Sequence, residues 1–98
     1  MAELNPTAHI EIRIGPRGHR PFVAGHRVRV QDIVLWNEEG LTVDEIISRV
    51  PSLSLADVHA ALAFYFDNRE EIDRQISEDN EFASSMEQAE LPRQRHQA

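Results

Sequence analysis

Two helix-start signals, twelve residues apart, constrain this chain more than any other feature. In Leu41-Thr42-Val43-Asp44-Glu45-Ile46, Thr42 is placed as an N-cap, Glu45 at N3 completes a capping box, and Leu41 with Ile46 forms a hydrophobic staple. The pattern recurs at once: Ser54 caps, Asp57 stands at N3, and Leu53 staples to Val58. A chain with two such starts so close together must fold as short helices joined by tight turns. Val43, Ile46, Ile47 and Val50 form the apolar face of the first, which Pro51 ends. Val58, Ala61, Leu62 and Tyr65 form that of the second. Upstream, Val30, Ile33, Val34 and Asn37 share a helical face that Gly40 stops as a C′ glycine. Residues 31–68 therefore read as a three-helix unit, with Ile33, Ile46, Ile47, Val58 and Leu62 expected in one core. This is the pattern of a helix-turn-helix, and equally of helical hairpins with no DNA function.

Residues 1–30 form a different segment. Ile10, Ile12 and Ile14 alternate with Glu11 and Arg13, the period of a half-buried strand. Gly15-Pro16-Arg17-Gly18 supplies a turn, Pro21–Gly25 a second extended piece, and Arg27–Val30 alternates again. Residues 69–98 form a third segment, an acidic helical arm and a tail. Ile72, Ile76, Phe82 and Met86 make a thin apolar stripe, Glu78-Asp79-Asn80-Glu81 is expected to bend or break the helix, and Leu91–Ala98 reads as a loose tail. The stripe is too sparse to bury itself on a small core, so the segment reads either as a solvated helix with fraying ends or as an arm that orders on a partner. Trp36 reads as a core or interface anchor.

Charge follows the same division. Within a net charge of −7, residues 1–30 carry five arginines against two glutamates, while residues 31–92 carry three arginines against fifteen carboxylates. Every basic side chain is arginine, which suits phosphate and carboxylate forks. The third helix has no basic residue between Ser54 and Asn68, and its exposed candidates are Ala56, His59, Ala60, Ala63 and Asn68. Any phosphate contact is therefore expected on the strands, through Arg13, Arg17, Arg20, Arg27 and Arg29.

At 98 residues the chain is one domain, or one domain and an arm. No cysteine is present, which removes disulfides, thiolate metal sites and a cysteine nucleophile, and fits a reducing cytoplasm. No apolar run approaches the roughly 18 to 20 residues of a membrane span, and the opening residues lack the basic and apolar regions of a signal peptide. No catalytic motif is found. The histidines His9, His19, His26, His59 and His96 include no pair at the i, i+4 spacing of a helical metal site. The expectation is a cytoplasmic protein with no enzymatic activity, no cofactor and no metal.

Residues 18–65 also carry a resemblance: Gly18-His-Arg-Pro21, Val23-Ala-Gly25-His-Arg27-Val28-Arg-Val30, Gly40-Leu-Thr-Val-Asp-Glu-Ile46, and Pro51-Ser-Leu53 leading into Val58-His-Ala-Ala61-Leu-Ala-Phe-Tyr65. In order and spacing this resembles domain-of-unknown-function family 433, with His26 where that family usually has threonine. The resemblance implies a mainly α fold: a homeodomain-like three-helix helix-turn-helix preceded by short β-strands and followed by a C-terminal helical arm. It also implies similarity to VapB-like antitoxins, dimers that bind operator DNA and neutralise a PIN-like ribonuclease toxin with a C-terminal extension. On that footing Phe66, Ile72, Ile76, Phe82 and Met86 are the expected partner contacts. A homodimeric protein-interaction module without DNA binding is the alternative.

Overall fold

The structure is a computed structural model that describes residues 4–96, with side chains as far as Glu87. Strands β1 (Ile10–Gly15) and β2 (Gly18–Val23) form an antiparallel hairpin, followed by helices α1 (Val30–Glu38), α2 (Val43–Arg49), α3 (Leu55–Asp67) and α4 (Arg69–His96). The architecture is mixed α/β with a helical majority.

The hairpin turns on Pro16-Arg17, and Gly18 takes φ +102°, a conformation that a side chain would strain. Its register pairs Ile10 with Val23, Ile12 with Pro21 and Arg13 with Arg20. The Ile10 and Val23 side chains enter the core, whereas Ile14 at the tip is 77% exposed. Among the described residues no third strand follows. Arg27–Val30 contributes a single bridge from Arg29 to Phe22, because the Asp32 carboxylate accepts the Arg29 backbone N–H at 3.0 Å and starts α1 there.

The three short helices begin and end as their sequences require. Thr42 and Ser54 accept from the N3 backbone N–H groups at 3.2 and 3.0 Å, and Glu45 and Asp57 reach back to the cap N–H groups at 2.8 and 3.0 Å. Helix α1 closes in a Schellman motif, with Gly40 at φ +105° donating to Asn37 and Leu41 donating to Trp36. Asp57 also joins α3 to the first segment, lying 3.1 Å from His9 Nδ1 and 3.7 Å from His26 Nε2.

One cluster of buried side chains runs through all three sequence segments: Ile10 and Val23 from the hairpin, Ile33, Ile46, Val58, Phe64 and Tyr65 from the helical unit, and Ile72 from α4. Of the five residues expected in the core, Ile33, Ile46 and Val58 are buried, and Ile47 and Leu62 pack partly buried against them.

Helix α4 differs from its sequence reading in three ways. It runs unbroken through Glu78–Glu81, where the Asp79 side chain and the Glu78 carbonyl are held by Arg20 and Arg17 of the hairpin. It continues helically past Leu91 to His96; the end of the expected loose tail, residues 97–98, lies outside the described residues. Its apolar stripe is also divided. Ile72 is fully buried in the protein's own core and Ile76 packs partly buried against it, so neither is a free partner contact. The hairpin gives the core a floor that the three helices alone lack, and α4 covers it: Gln75 Nε2 donates to the His19 carbonyl at 2.9 Å.

Two consequences are measurable. Ile72→Ala, like Ile46→Ala, is expected to cost about 2 to 5 kcal/mol in chemical denaturation, the range for a buried isoleucine emptied to alanine. Truncation after Asn68 is expected to destabilise the fold, whereas truncation after Asn80 keeps it. A loss below about half a kcal/mol for Ile72→Ala would place that side chain outside the core.

Acid stability also follows. Backbone N–H donors hold Glu45 (from Thr42) and Asp57 (from Ser54) below the ordinary carboxylate range, and Arg74 does the same for Glu71. A depressed folded-state pKa contributes stability above the unfolded value and loses it as pH falls through the folded one. Thermal melts are expected to be flat from pH 7 to about pH 5 and to fall below about pH 4. Asp57→Asn should lower the plateau and shallow the acid slope.

Candidate functional site

The arginines of the first segment are positioned by the strand period. Arg13 and Arg20 are paired across the hairpin and share a face with Phe22, Arg17 sits at the turn, and Arg29 enters through the bridge to Phe22. Four of the five expected contact arginines, Arg13, Arg17, Arg20 and Arg29, thereby line one open pocket of about 580 Å³. Arg27 is exposed and stands outside it. Ile14, Pro16 and Phe22 give the pocket apolar walls, and Asp79 of α4 enters from the side.

Asp79 organises the charge. Arg20 forks onto its carboxylate, with Nη2 donating to Oδ1 at 3.0 Å and Nη1 to Oδ2 at 3.2 Å. The Gln31 amide donates to Oδ2 at 3.0 Å. Arg17 lies 3.3 Å from Oδ1 and Arg29 3.7 Å from Oδ2. Arg17 also donates to the Glu78 carbonyl at 3.2 Å and covers the Phe82 ring at 4.3 Å. Arg29 is held mainly by Asp32, at 2.7 Å, and that hydrogen bond raises its pKa and keeps it charged. Arg13 covers the Phe22 ring at 4.2 Å, donates to the His26 carbonyl at 2.6 Å and pairs with Glu11. Arg13 foremost, then the Gly25 N–H, holds Glu11 below the ordinary carboxylate range.

The expected partner contacts do not converge. Ile72 and Ile76 belong to the core, whereas Phe66 on α3 and Phe82 and Met86 on α4 are exposed, at 64%, 52% and 55%. From Glu81 to Glu87 every residue is exposed. The exposed face of α3 carries Leu55, Ala56, His59, Ala63 and Phe66, with no guanidinium or side-chain amide.

A second polar cluster stands at the start of α3, where Ser52 Oγ lies 3.4 Å from His26 Nδ1 and His26 Nε2 3.7 Å from Asp57. The Asp57 oxygens already serve the Ser54 N–H and His9, so this cluster caps the helix and fastens the turn at Gly25. Among the described residues no group of three or more His, Cys, Asp or Glu side chains could hold a metal ion, and no helix is long and apolar enough to cross a membrane.

Gln31, Asp32, Phe22 and Asp79 were absent from the sequence reading of the site. The available signal was charge complementarity between a basic hairpin and an acidic helix, but nothing local says which of fifteen carboxylates the arginines would take.

A basic hairpin seated on a capped three-helix unit, with an arginine-lined pocket on its outer face, makes a small mixed α/β fold. The family described as Protein of unknown function (DUF433) matches residues 10–65, and the chain belongs to that family. No curated protein and no solved structure matches it. The matched region covers β1 through most of α3, so α4, and with it Asp79, lies beyond it.

Arg20→Ala would leave the Gln31 side-chain oxygen without its donor and loosen α4 from the hairpin. Breaking a fully buried pair costs about 3 to 5 kcal/mol; with Asp79 still served by Arg17 and Arg29, about 1 to 3 is expected in denaturant titration. An unchanged midpoint would show that Asp79 does not fasten α4.

Proposed function

We propose that this protein is an antitoxin-like binding module: it neutralises a PIN-like ribonuclease toxin by covering it with the outer half of α4, and it binds operator DNA as an autorepressor through the hairpin arginines. One observation carries the reading. At about 1.5 Å per residue, the 28-residue α4 spans about 42 Å, against a longest molecular extent of 50 Å, and only its first part is packed on the body. Its outer part presents Phe82 and Met86 to solvent on an acidic helix, the amphipathic form that groove-binding helices take. The resemblance to VapB-like antitoxins, whose C-terminal extension covers the toxin, supplies the partner class, the homeodomain-like helix-turn-helix and the cytoplasmic setting.

The partner surface in this reading is Phe82, Met86 and, on a separate face, Phe66. Inhibition is by occlusion and needs no catalytic group, cofactor or metal from this chain. The DNA contact rests on Arg13, Arg17, Arg20, Arg27 and Arg29. A homodimer accords with β1, which has no second strand neighbour among the described residues and offers an edge to another copy.

A second reading, a dimeric protein-interaction module without DNA binding, is favoured by α3. Its exposed face offers Leu55 and Phe66 where a DNA-reading helix brings arginine, lysine, asparagine or glutamine. Gel retardation at two salt concentrations separates the two readings. DNA binding through the hairpin weakens steeply with salt, and Arg27→Ala with Arg29→Ala flattens that slope.

The toxin contact is tested by Phe82→Asp with Met86→Asp. Each buried apolar anchor is worth about 2 kcal/mol or more, so the double variant is expected to lose at least about a hundredfold in affinity for the ribonuclease. Its melting temperature should change little, because neither side chain enters the core and Phe82 gives up only its contact with Arg17. Full inhibition of the ribonuclease by the double variant would overturn the reading.

A further inference from the structure

The cradle around Asp79 has more donors than one carboxylate uses. Three guanidiniums and the Gln31 amide surround two oxygens. On Asp79 only Arg20 makes a full fork; Arg17 stands at 3.3 Å, and Arg29, which forks onto Asp32 through Nε and Nη2, leaves Nη1 facing Asp79 at 3.7 Å. Arg17, Arg20 and Arg29 bring three positive charges, and Asp79 with Asp32 return two negative ones, so the cluster keeps a net positive charge. A phosphate group presents more oxygens, and up to two charges, to the same forks. The pocket beside Asp79 is large enough for a group attached to that phosphate, and its walls at Ile14, Pro16 and Phe22 are apolar. Ile14 in particular stands exposed at the rim of a hairpin whose Ile10, Pro21 and Val23 are buried.

We propose that the hairpin carries a phosphate-ester site, formed by Arg17, Arg20 and Arg29 with the Gln31 amide, and that Asp79 is its built-in occupant. The phosphate takes the place of the Asp79 carboxylate, and the body of the ester lies against Ile14 and Phe22. No bond is made or broken; one anion exchanges for another on the same donors. Because Asp79 also fastens α4 to the hairpin, a bound phosphate competes with the docked position of that helix. The ester belongs either to a free nucleotide or to a nucleic-acid backbone, and both present the same group to the same three arginines. The inference rests on the proposed function only in placing phosphate contact on the hairpin, and it needs no toxin.

The test uses the full chain with two probes, adenosine monophosphate and a short duplex oligonucleotide, titrated against wild type, Asp79→Asn and Glu81→Gln. Glu81 is exposed on the same helix, so Glu81→Gln makes the same change in net charge outside the pocket. Asp79→Asn is expected to bind at least one probe about tenfold more tightly than either other protein, the order of effect of removing one competing charge from a partly buried site. A gain on the nucleotide identifies a free phosphate ester as ligand, and a gain on the duplex alone identifies the backbone. Adding Arg20→Gln should abolish the gain. In wild type, saturating nucleotide should shift the amide resonances of Gly15, Arg17 and Gly18. Equal affinities for Asp79→Asn and Glu81→Gln on both probes would overturn the proposal, as would a gain that survives Arg20→Gln. Should Asp79→Asn melt below working temperature, Asp79→Ser is read by the same criteria, and the wild-type resonance shifts decide independently: none at saturating nucleotide and duplex would also overturn it. Failure here leaves the toxin contact at Phe82 and Met86 untouched, and failure of that contact leaves this site standing.

Discussion

A two-stranded hairpin does not hold its shape alone in water, so its stability comes from whatever covers it. Here the cover comes from distant parts of the chain. Ile10 and Val23 enter the same core as Ile33, Val58 and Ile72. The Gln75 amide holds the His19 carbonyl, and Asp79 holds Arg17 and Arg20. The first and last segments are thus coupled through the hairpin, and the three short helices sit between them. Removing α4 at its start would uncover Ile72's place in the core and free the arginines of the hairpin tip together. Burial and charge act in the same direction on one helix.

The short helices were legible because their signals are local. The two capping boxes, the Schellman glycine Gly40 and the stop at Pro51 each depend on residues within one turn, and the structure places them where they were read. The hairpin turn was legible for the same reason. Family membership was legible too, since the motifs that suggest it fall inside the matched region. The fate of α4 was not. The spacing of Ile72, Ile76, Phe82 and Met86 shows one stripe, but not how far along it the body of the protein reaches. That length is set by the hairpin tip, sixty or so residues earlier in the chain, which ends its contacts near Phe82.

The site was half legible for a related reason. Strand alternation and the concentration of arginine point to Arg13, Arg17, Arg20, Arg27 and Arg29, of which all but Arg27 line the pocket. Glu78-Asp79-Asn80-Glu81 read instead as a helix breaker, because four polar residues in a row interrupt an apolar stripe. In three dimensions that interruption is where the helix meets a basic surface, so polar side chains are what the contact requires. Asp79 carries the contact, while Asn80 and Glu81 face solvent. A polar break in an amphipathic helix has two meanings, an end or a charged contact, and only the opposite charge elsewhere in the chain separates them.

The use of arginine throughout gives the contact its form. A lysine at position 20 would offer Asp79 one ammonium, whereas Arg20 grips both carboxylate oxygens and still donates to Gln31. The fork fixes the rotation of α4 about its axis as well as its distance from the hairpin. With Asp79 turned inward, the exposed Phe82 is held in one orientation beneath Arg17, and the chain beyond it leaves the body in a set direction. Polar fastening therefore aims the outer half of the helix, and with it the exposed Phe82 and Met86. For the toxin contact proposed above this matters, because an arm already aimed loses less orientational freedom on binding than a free tail does, which would favour docking of a rigid helix over folding on contact.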